Sequence, residues 1–194
     1  VLTAILQGPL IQDGALNESG NRVGVNVRML RVDTRTGKSK DFVYTMEAPD
    51  RGISEILAIN DHEFLVLERD GKVGDAAGHR AIYHIDTDGA TDVSDVDSLP
   101  SGGLPNGIAA ATKRLFLDLM DPRFGLAGPS MPEKIEGLAF GPDLPDGRRV
   151  LLVTVDNDMK VTVPNTIWAF GVEAELLKGS GRGVLDISVD VLER

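Results

Sequence analysis

The stretch "KIEGLAFGPDLPDGRRVLLVTVDND", residues 134–158, decides the fold. Two apolar runs, 135–140 and 150–155, flank a segment rich in Asp, Pro and Gly. Asp and Gly tolerate the positive φ angles of tight turns, so this pattern predicts an antiparallel hairpin. Acidic residues stand at both ends of the hairpin. These acids either form turns and a solvated rim, or bind a cation or a substrate.

The hairpin has an internal echo in residues 54–70, "SEILAINDHEFLVLERD". Each copy has Glu-x-Leu-Ala, a turn, an apolar strand and an acidic cluster, so Glu55 is predicted to match Glu136. A repeated antiparallel unit of ~40–50 residues, here stretched by insertions, is typical of a β-propeller. The third strand of each unit is predicted at residues 80–86 and 165–172, with an earlier counterpart at 26–38.

The rest of the chain also predicts an all-β fold, because short apolar runs alternate with clusters of Gly, Pro, Asp and Asn. Residues 108–120 have a helical composition, but their second half alternates as a strand does, and a strand is favoured. Residues 172–181 predict one helical turn. The predicted strands are residues 2–6, 25–33, 41–45, 53–59, 64–68, 81–86, 113–119, 135–140, 150–155, 166–172 and 184–191.

Composition excludes several classes of function. The 194 residues carry a net charge of -10, which disfavours nucleic acid and anionic membranes as partners. The absence of cysteine excludes disulfides, zinc–thiolate sites and cysteine nucleophiles. No apolar run reaches the ~18 residues that a membrane span requires. There is no GxSxG motif to indicate a serine hydrolase.

Glu55 and Glu136 are the candidate catalytic residues. Each is an acid in an otherwise apolar strand, and a strand alternates its faces, so each is expected to point toward a channel or a polar seam. There they would bind a cation or act as acid and base. The alternative is a structural role, in which each accepts backbone N–H groups from the neighbouring unit.

Asp156, Asn157 and Asp158 are candidate metal ligands, together with Asp70 in the other copy. Calcium takes about six to eight oxygen ligands, and clustered Asp and Asn supply them. Strand ends on one face of a propeller come together, so these acids, Glu55 and Glu136 are predicted to form one acidic rim. The alternative is an Asx turn at the strand end.

Arg69 is the cation within this acidic set. It either pairs with a neighbouring acid or acts as a bidentate clamp on a phosphate or carboxylate. Arg51 and Lys134 precede the two units and are candidates for the same role, with solvent exposure as the alternative.

Four stretches together resemble the phytase-like family described as "esterase-like activity of phytase". Family members have a propeller-like domain longer than this chain, so the resemblance implies that the N-terminal blades are missing. Residue 1 would then fall in the second strand of a blade, and the 1–194 domain would hold about two and a half blades of four-stranded antiparallel sheets. Gln7 stands where the family pattern has Glu. The stretches are "GPLIQDG" (8–14), "GKSKDFVYTME" (37–47), "GISEILAINDHEFLVLERD" (52–70) and residues 134–158.

The resemblance also implies a function. It indicates a secreted or periplasmic hydrolase of phosphoesters or esters, assisted by Ca²⁺. A lactonase-like enzyme, or a non-catalytic cell-envelope module that binds a protein or glycan, remains the alternative. Missing blades or a second chain would complete the fold. For this activity, the residues predict a site with Glu55 and Glu136 as catalytic residues, Arg69 and Arg51 on the substrate, and Asp70, Asp156, Asn157 and Asp158 on the metal.

Overall fold

The computed structural model describes residues 1–177 and shows an all-β chain of three antiparallel sheets. It contains one short helix, α1 (Ile11–Gly14), and three single-turn 3-10 helices at Gly74–Ala76, Pro122–Phe124 and Ala174–Leu177. The strands are β1 (Leu2–Ile5), β2 (Asn26–Val32), β3 (Ser39–Thr45), β4 (Arg51–Ala58), β5 (Glu63–Asp70), β6 (Arg80–Asp86), β7 (Thr112–Asp118), β8 (Ile135–Phe140), β9 (Arg149–Val155) and β10 (Thr166–Val172).

Each sheet is an up-and-down meander of consecutive strands. The first sheet has the order β1-β2-β3, the central sheet β4-β5-β6-β7, and the third sheet β8-β9-β10. Gly37 and Gly147 close two of the hairpins at φ angles of 72° and 91°, a region that glycine reaches without steric cost. No sheet within residues 1–177 closes into a barrel.

The central sheet is packed on both faces. All eight residues of β5 are buried, because its side chains alternate between two cores. Phe64 and Val66 pack with Met29 and Tyr44 of the first sheet. The other face, which carries Leu65 and Leu67, packs against the third sheet, in a core that includes Leu151, Val153 and Phe170. The three sheets therefore stand in a row, with one core between each neighbouring pair.

The long connection between β6 and β7 crosses from the central sheet to cover the first one. Ala111 N donates to Val43 O at 2.8 Å, so the connection continues the ladder beyond β3. A buried ion pair anchors it, with Arg28 Nε 2.7 Å from Asp13 Oδ2. Asp13 Oδ1 also accepts the amide of Leu99 at 2.7 Å.

Ten of the eleven predicted strands are confirmed, with boundaries that differ by two residues at most. β7 confirms the strand interpretation of residues 108–120, and Ala174–Leu177 confirms a helical turn within 172–181. The sequence did not predict α1. The predicted strand at 184–191 lies outside the described residues. No helix among residues 1–177 has the length and apolar character to cross a membrane.

Candidate active-site cleft

A cleft of about 340 Å³ opens where the end of β1 meets β4 and β8. The main chain closes its floor, since Ile53 N donates to Gln7 O at 2.9 Å. Its polar side chains come from three different strands or strand ends. The lining residues are Ile5, Gln7, Ile53, Ser54, Glu55, Ile56 and Glu136.

Two β-bulges shape this cleft. In β4, Ile53 pairs with Glu68 and Glu55 pairs with Leu67, which leaves Ser54 as the extra residue. In β8 the extra residue is Glu136. Bulges redirect side chains and are frequent beside active sites. Here both bulged residues contact the same guanidinium group.

That group belongs to Arg69, near the end of β5. Arg69 Nη2 donates to Glu136 Oε1 at 2.5 Å, and Arg69 Nε donates to Ser54 Oγ at 2.8 Å. Lys134 Nζ lies 3.8 Å from the same Glu136 oxygen. The Arg69 side chain is only 6% exposed, whereas that of Glu136 is 32% exposed. The pair thus joins the central and third sheets and presents its acid to the cleft.

Glu55 reaches the same cleft without a cationic partner. Its Oε1 accepts the amide of Ile56 at 2.8 Å, and it forms no ion pair with any residue in 1–177. The two predicted catalytic acids therefore line one cleft. One is paired with a guanidinium group, and the other forms no ion pair within residues 1–177.

The predicted equivalence of Glu55 and Glu136 is wrong by one residue. In both strands the bulge follows the first paired isoleucine, so Ser54 corresponds to Glu136 and Glu55 corresponds to Gly137. A Cβ atom at Gly137 would overlap the hydroxyl of Thr154. A side chain at Gly137 would therefore require the Thr154 hydroxyl to move, and the two acids enter the cleft from different positions.

Asp70, a predicted metal ligand, is the partner of a buried arginine. It forms an ion pair with Arg80, and both side chains are at most 1% exposed. Its other acceptor sites take the amides of Lys72 at 3.1 Å and Gly78 at 2.8 Å. Burial would raise the pKa of Asp70, but the hydrogen bonds from Arg80 and these amides outweigh it and lower the pKa to about 2. The oxygens of the Asp70 carboxylate are thus hydrogen-bonded to donors within the protein.

Arg51, predicted to bind substrate, lies at the start of β4 and outside the wall of the cleft. Its Nη1 is 3.0 Å from Asp50 Oδ2 and 3.9 Å from Asp70 Oδ2. Its charge therefore supports the buried Asp70–Arg80 pair.

Asp156, Asn157 and Asp158 form consecutive Asx turns after β9. Asp156 Oδ1 accepts the amide of Asp158 at 2.8 Å, and Asn157 Oδ1 accepts the amide of Met159 at 3.0 Å. Lys160 Nζ is 3.1 Å from Asp158 Oδ2. Nowhere in residues 1–177 are three His, Asp or Glu side chains grouped so that they would hold a metal ion. The predicted ligand set does not converge into a calcium site in this part of the chain.

Glu68 is a residue whose importance the sequence did not reveal. It is fully buried and accepts hydrogen bonds from Tyr44 Oη at 2.6 Å and from Lys113 Nζ at 2.8 Å. His79 Nε2 lies 3.5 Å from its other oxygen. Burial raises the pKa of Glu68, but the nearby imidazole of His79 and the hydrogen bonds from Lys113 and Tyr44 more than offset this and lower the pKa to about 2. These contacts join the first sheet to the central sheet.

Acid is expected to weaken the fold through Glu68. Because its pKa is lower in the folded chain than its ordinary 4.5, its stabilising contribution is complete above pH 4.5 and is lost as pH falls toward 2. The shift to about 2 corresponds to about 3 kcal/mol of unfolding free energy. Urea unfolding at pH 7, 5, 4 and 3 measures the loss. Glu68→Gln is the control, and an equally steep loss in that variant would contradict the assignment.

The three meandering sheets, with carboxylates at the ends of strands where neighbouring sheets meet, define an all-β protein with a polar site between its sheets. The sequence model of the phytase-like family, described as esterase-like activity of phytase, matches residues 1–159. The chain therefore belongs to the phytase-like family. The match includes β1 to β9 and every residue of the cleft. No curated protein and no solved structure matches the chain.

Proposed function

We propose that this protein hydrolyses esters or phosphoesters in the cleft between β1, β4 and β8. Membership of the phytase-like family supports a hydrolase. The observation that carries the proposal is that two carboxylates with different surroundings line one cleft of about 340 Å³. Glu55 has no cationic partner within residues 1–177, while Glu136 is held against Arg69.

In the proposed reaction, Glu55 takes a proton from water while the water oxygen attacks the acyl carbon or the phosphorus atom. The bond between that atom and the leaving oxygen then breaks, and Glu55 returns the proton to the leaving alkoxide. General acid–base catalysis of this kind contributes a rate factor of about 10²–10⁴. The carboxamide of Gln7 is the neutral donor in the cleft wall for the oxygen that becomes negative.

Glu136 and Arg69 are assigned a second role in this reaction. Glu136 Oε1 is bound to Arg69 and lies near Lys134, whereas Oε2 forms no hydrogen bond within residues 1–177. Oε2 is therefore assigned to orient the attacking water. Arg69, held by Ser54, fixes Glu136 at the bulge and keeps the local charge balanced.

The charges around the cleft favour an uncharged substrate. Its lining has two carboxylates, and the nearby cations Arg69 and Lys134 are both directed to Glu136. A phosphomonoester dianion would be repelled there, so a carboxylic ester or a lactone is the better fit. Calcium assistance is a separate prediction, tested by titrating Ca²⁺ into metal-stripped protein. No step above passes through a metal.

A substrate panel tests the proposal. The panel is p-nitrophenyl acetate, p-nitrophenyl phosphate and γ-butyrolactone, each with the intact chain and with or without Ca²⁺. We expect saturable turnover of the uncharged acetate or the lactone to exceed that of the phosphate. Absence of turnover on all three substrates, with a cooperative unfolding transition showing that the chain is folded, would refute it.

The Arg69–Glu136 pair also supports a second candidate. Because this pair joins the central and third sheets, the acids of the cleft would be structural in a non-catalytic cell-envelope module that binds a protein or glycan. Lack of turnover with a folded chain favours this candidate. Saturable turnover that depends on Glu55 excludes it.

We further infer that the three sheets are consecutive blades of a propeller in the periplasm or outside the cell. The end of β1 contacts β4 through Gln7 and Ile53, much as the end of β5 contacts β8 through Arg69 and Glu136. β1 thus corresponds to β5. Yet β5 has β4 on its far side, while β1 is an edge strand. A further strand, from additional blades or a second chain, would complete the first sheet.

A further inference from the structure

A second cavity lies at the other end of β1. Its volume is about 680 Å³, twice that of the cleft. It opens between the β2–β3 hairpin and the turns that follow β4 and β6. Val1 lines this cavity and Ile5 lines the cleft. At about 3.3 Å per residue of strand, Val1 and Ile5 are roughly 13 Å apart.

Three cations of the hairpin stand along one wall of the cavity. Arg31 and Lys40 are directly opposite each other in the β2–β3 ladder, so their side chains share a face. Like charges at such positions destabilise a sheet. Neither residue forms an ion pair within 1–177, and the same holds for the neighbouring Lys38. In a chain with a net charge of -10, three cations on one wall without an ion pair within 1–177 indicate an anion from outside the protein.

The acids around the cavity form no ion pair with this wall within residues 1–177. Asp33 accepts the amides of its own turn, and Asp92 accepts both the amide and the hydroxyl of Ser94. Hydrogen bonds from Ser94 chiefly lower the pKa of Asp92, and the charge of Lys40 contributes. Asp61 and Asp88 belong to the turns on the opposite wall. The anionic end of a ligand would therefore lie against the hairpin, away from these two acids.

An apolar surface adjoins the hairpin cations. Phe42 and Ala90 supply an apolar surface next to the hairpin cations. His62 Nδ1 is 2.8 Å from Asp86 Oδ1, and this hydrogen bond raises the pKa of His62. A ligand would thus meet an apolar surface and cations at neighbouring points.

We propose that this cavity binds a small organic anion, with its carboxylate, sulfonate or phosphate against Arg31, Lys38 and Lys40 and its apolar body against Phe42. The site is distinct from the hydrolytic cleft and does not depend on the proposed reaction. The like-charged pair in the hairpin is explained as a binding feature that costs stability in the free protein.

Calorimetric titration of 2-naphthalenesulfonate into the intact chain tests the proposal. We expect saturable binding that weakens with salt, and much weaker binding of the uncharged 2-naphthalenemethanol. Lys40→Gln is expected to raise the Kd about tenfold or more, because it removes a charged contact. Arg35→Gln is the matched control, since Arg35 lies on the same hairpin but outside the cavity wall and pairs with Asp33.

A second readout does not depend on the ligand. Lys40→Gln is expected to raise the melting temperature of the free protein, because it relieves repulsion with Arg31. Its turnover in the cleft is expected to equal that of the wild type. No saturable binding of the sulfonate, or an equal loss in Lys40→Gln and Arg35→Gln, would overturn the proposal. A lower melting temperature of Lys40→Gln would do so as well.

Discussion

Arg80→Met is expected to lower the free energy of unfolding by about 3–5 kcal/mol, a large part of the stability of a domain of this size. Arg80 is fully buried, and its ion pair with Asp70 is hidden from solvent. The substitution keeps most of the apolar volume but leaves the Asp70 carboxylate buried beside Arg51 at 3.9 Å as its nearest remaining cation. Arg80 also donates to the carbonyls of Asp70 and His79, which would lose that donor.

Urea unfolding at pH 7 measures this loss as a lower midpoint with an unchanged slope. Arg35→Met is the matched control, because the Arg35 side chain is 85% exposed and its nearest acid is 3.9 Å away. Its expected effect is within about 0.5 kcal/mol. Equal midpoints for the two variants would contradict the structural role given to Arg80.

The strands could be predicted from the sequence because an apolar run bounded by turn residues is a local signal. β9 is such a run, and the Asp- and Gly-rich turn before it and the Asp and Asn residues after it set its limits. α1 was missed because four residues are too few to produce a helical period. β5 is buried on both faces, so its continuous apolar run gives no information on which neighbour covers each face.

The site was only partly predictable. Glu55 and Glu136 stood out as acids in apolar strands, and both line the cleft. The bulges at Ser54 and Glu136 have no local sequence signature, so a repeat alignment that assumes one register places the acids one residue out of step. Register in a sheet is decided by pairing with another strand, which the sequence of one strand does not contain.

The partners of the acids were also hidden in the sequence. Glu68 is bound by Lys113, 45 positions along the chain, and Arg69 by Glu136, 67 positions along the chain. Asp70 forms its ion pair with Arg80, which lies beyond the loop that joins β5 to β6. The acids predicted to form one rim therefore have separate partners. Each buried carboxylate requires its own cation or several backbone amides to offset the cost of burial.

Glu55→Gln is expected to lower kcat for p-nitrophenyl acetate or γ-butyrolactone by about 10²–10⁴-fold, the contribution of a general base. The amide keeps the size of the side chain and can still accept the amide of Ile56, but it does not take a proton from water. Because Glu55 has no ion pair within residues 1–177, the melting temperature is expected to stay close to that of the wild type.

Glu136→Gln is a contrasting variant. It should reduce turnover as well, but it should also lower the melting temperature, because it weakens a charged hydrogen bond to the nearly buried Arg69. Glu18→Gln, in the exposed loop before β2, is the control for loss of one acid and should change neither quantity.

The most direct measurement is therefore kcat/KM on the uncharged substrates for the wild type and Glu55→Gln, with the melting temperature of both recorded in the same buffer. The account predicts a loss of at least about 100-fold in Glu55→Gln at an unchanged melting temperature. Equal kcat/KM values in the two proteins would contradict the account and show that Glu55 is not the general base.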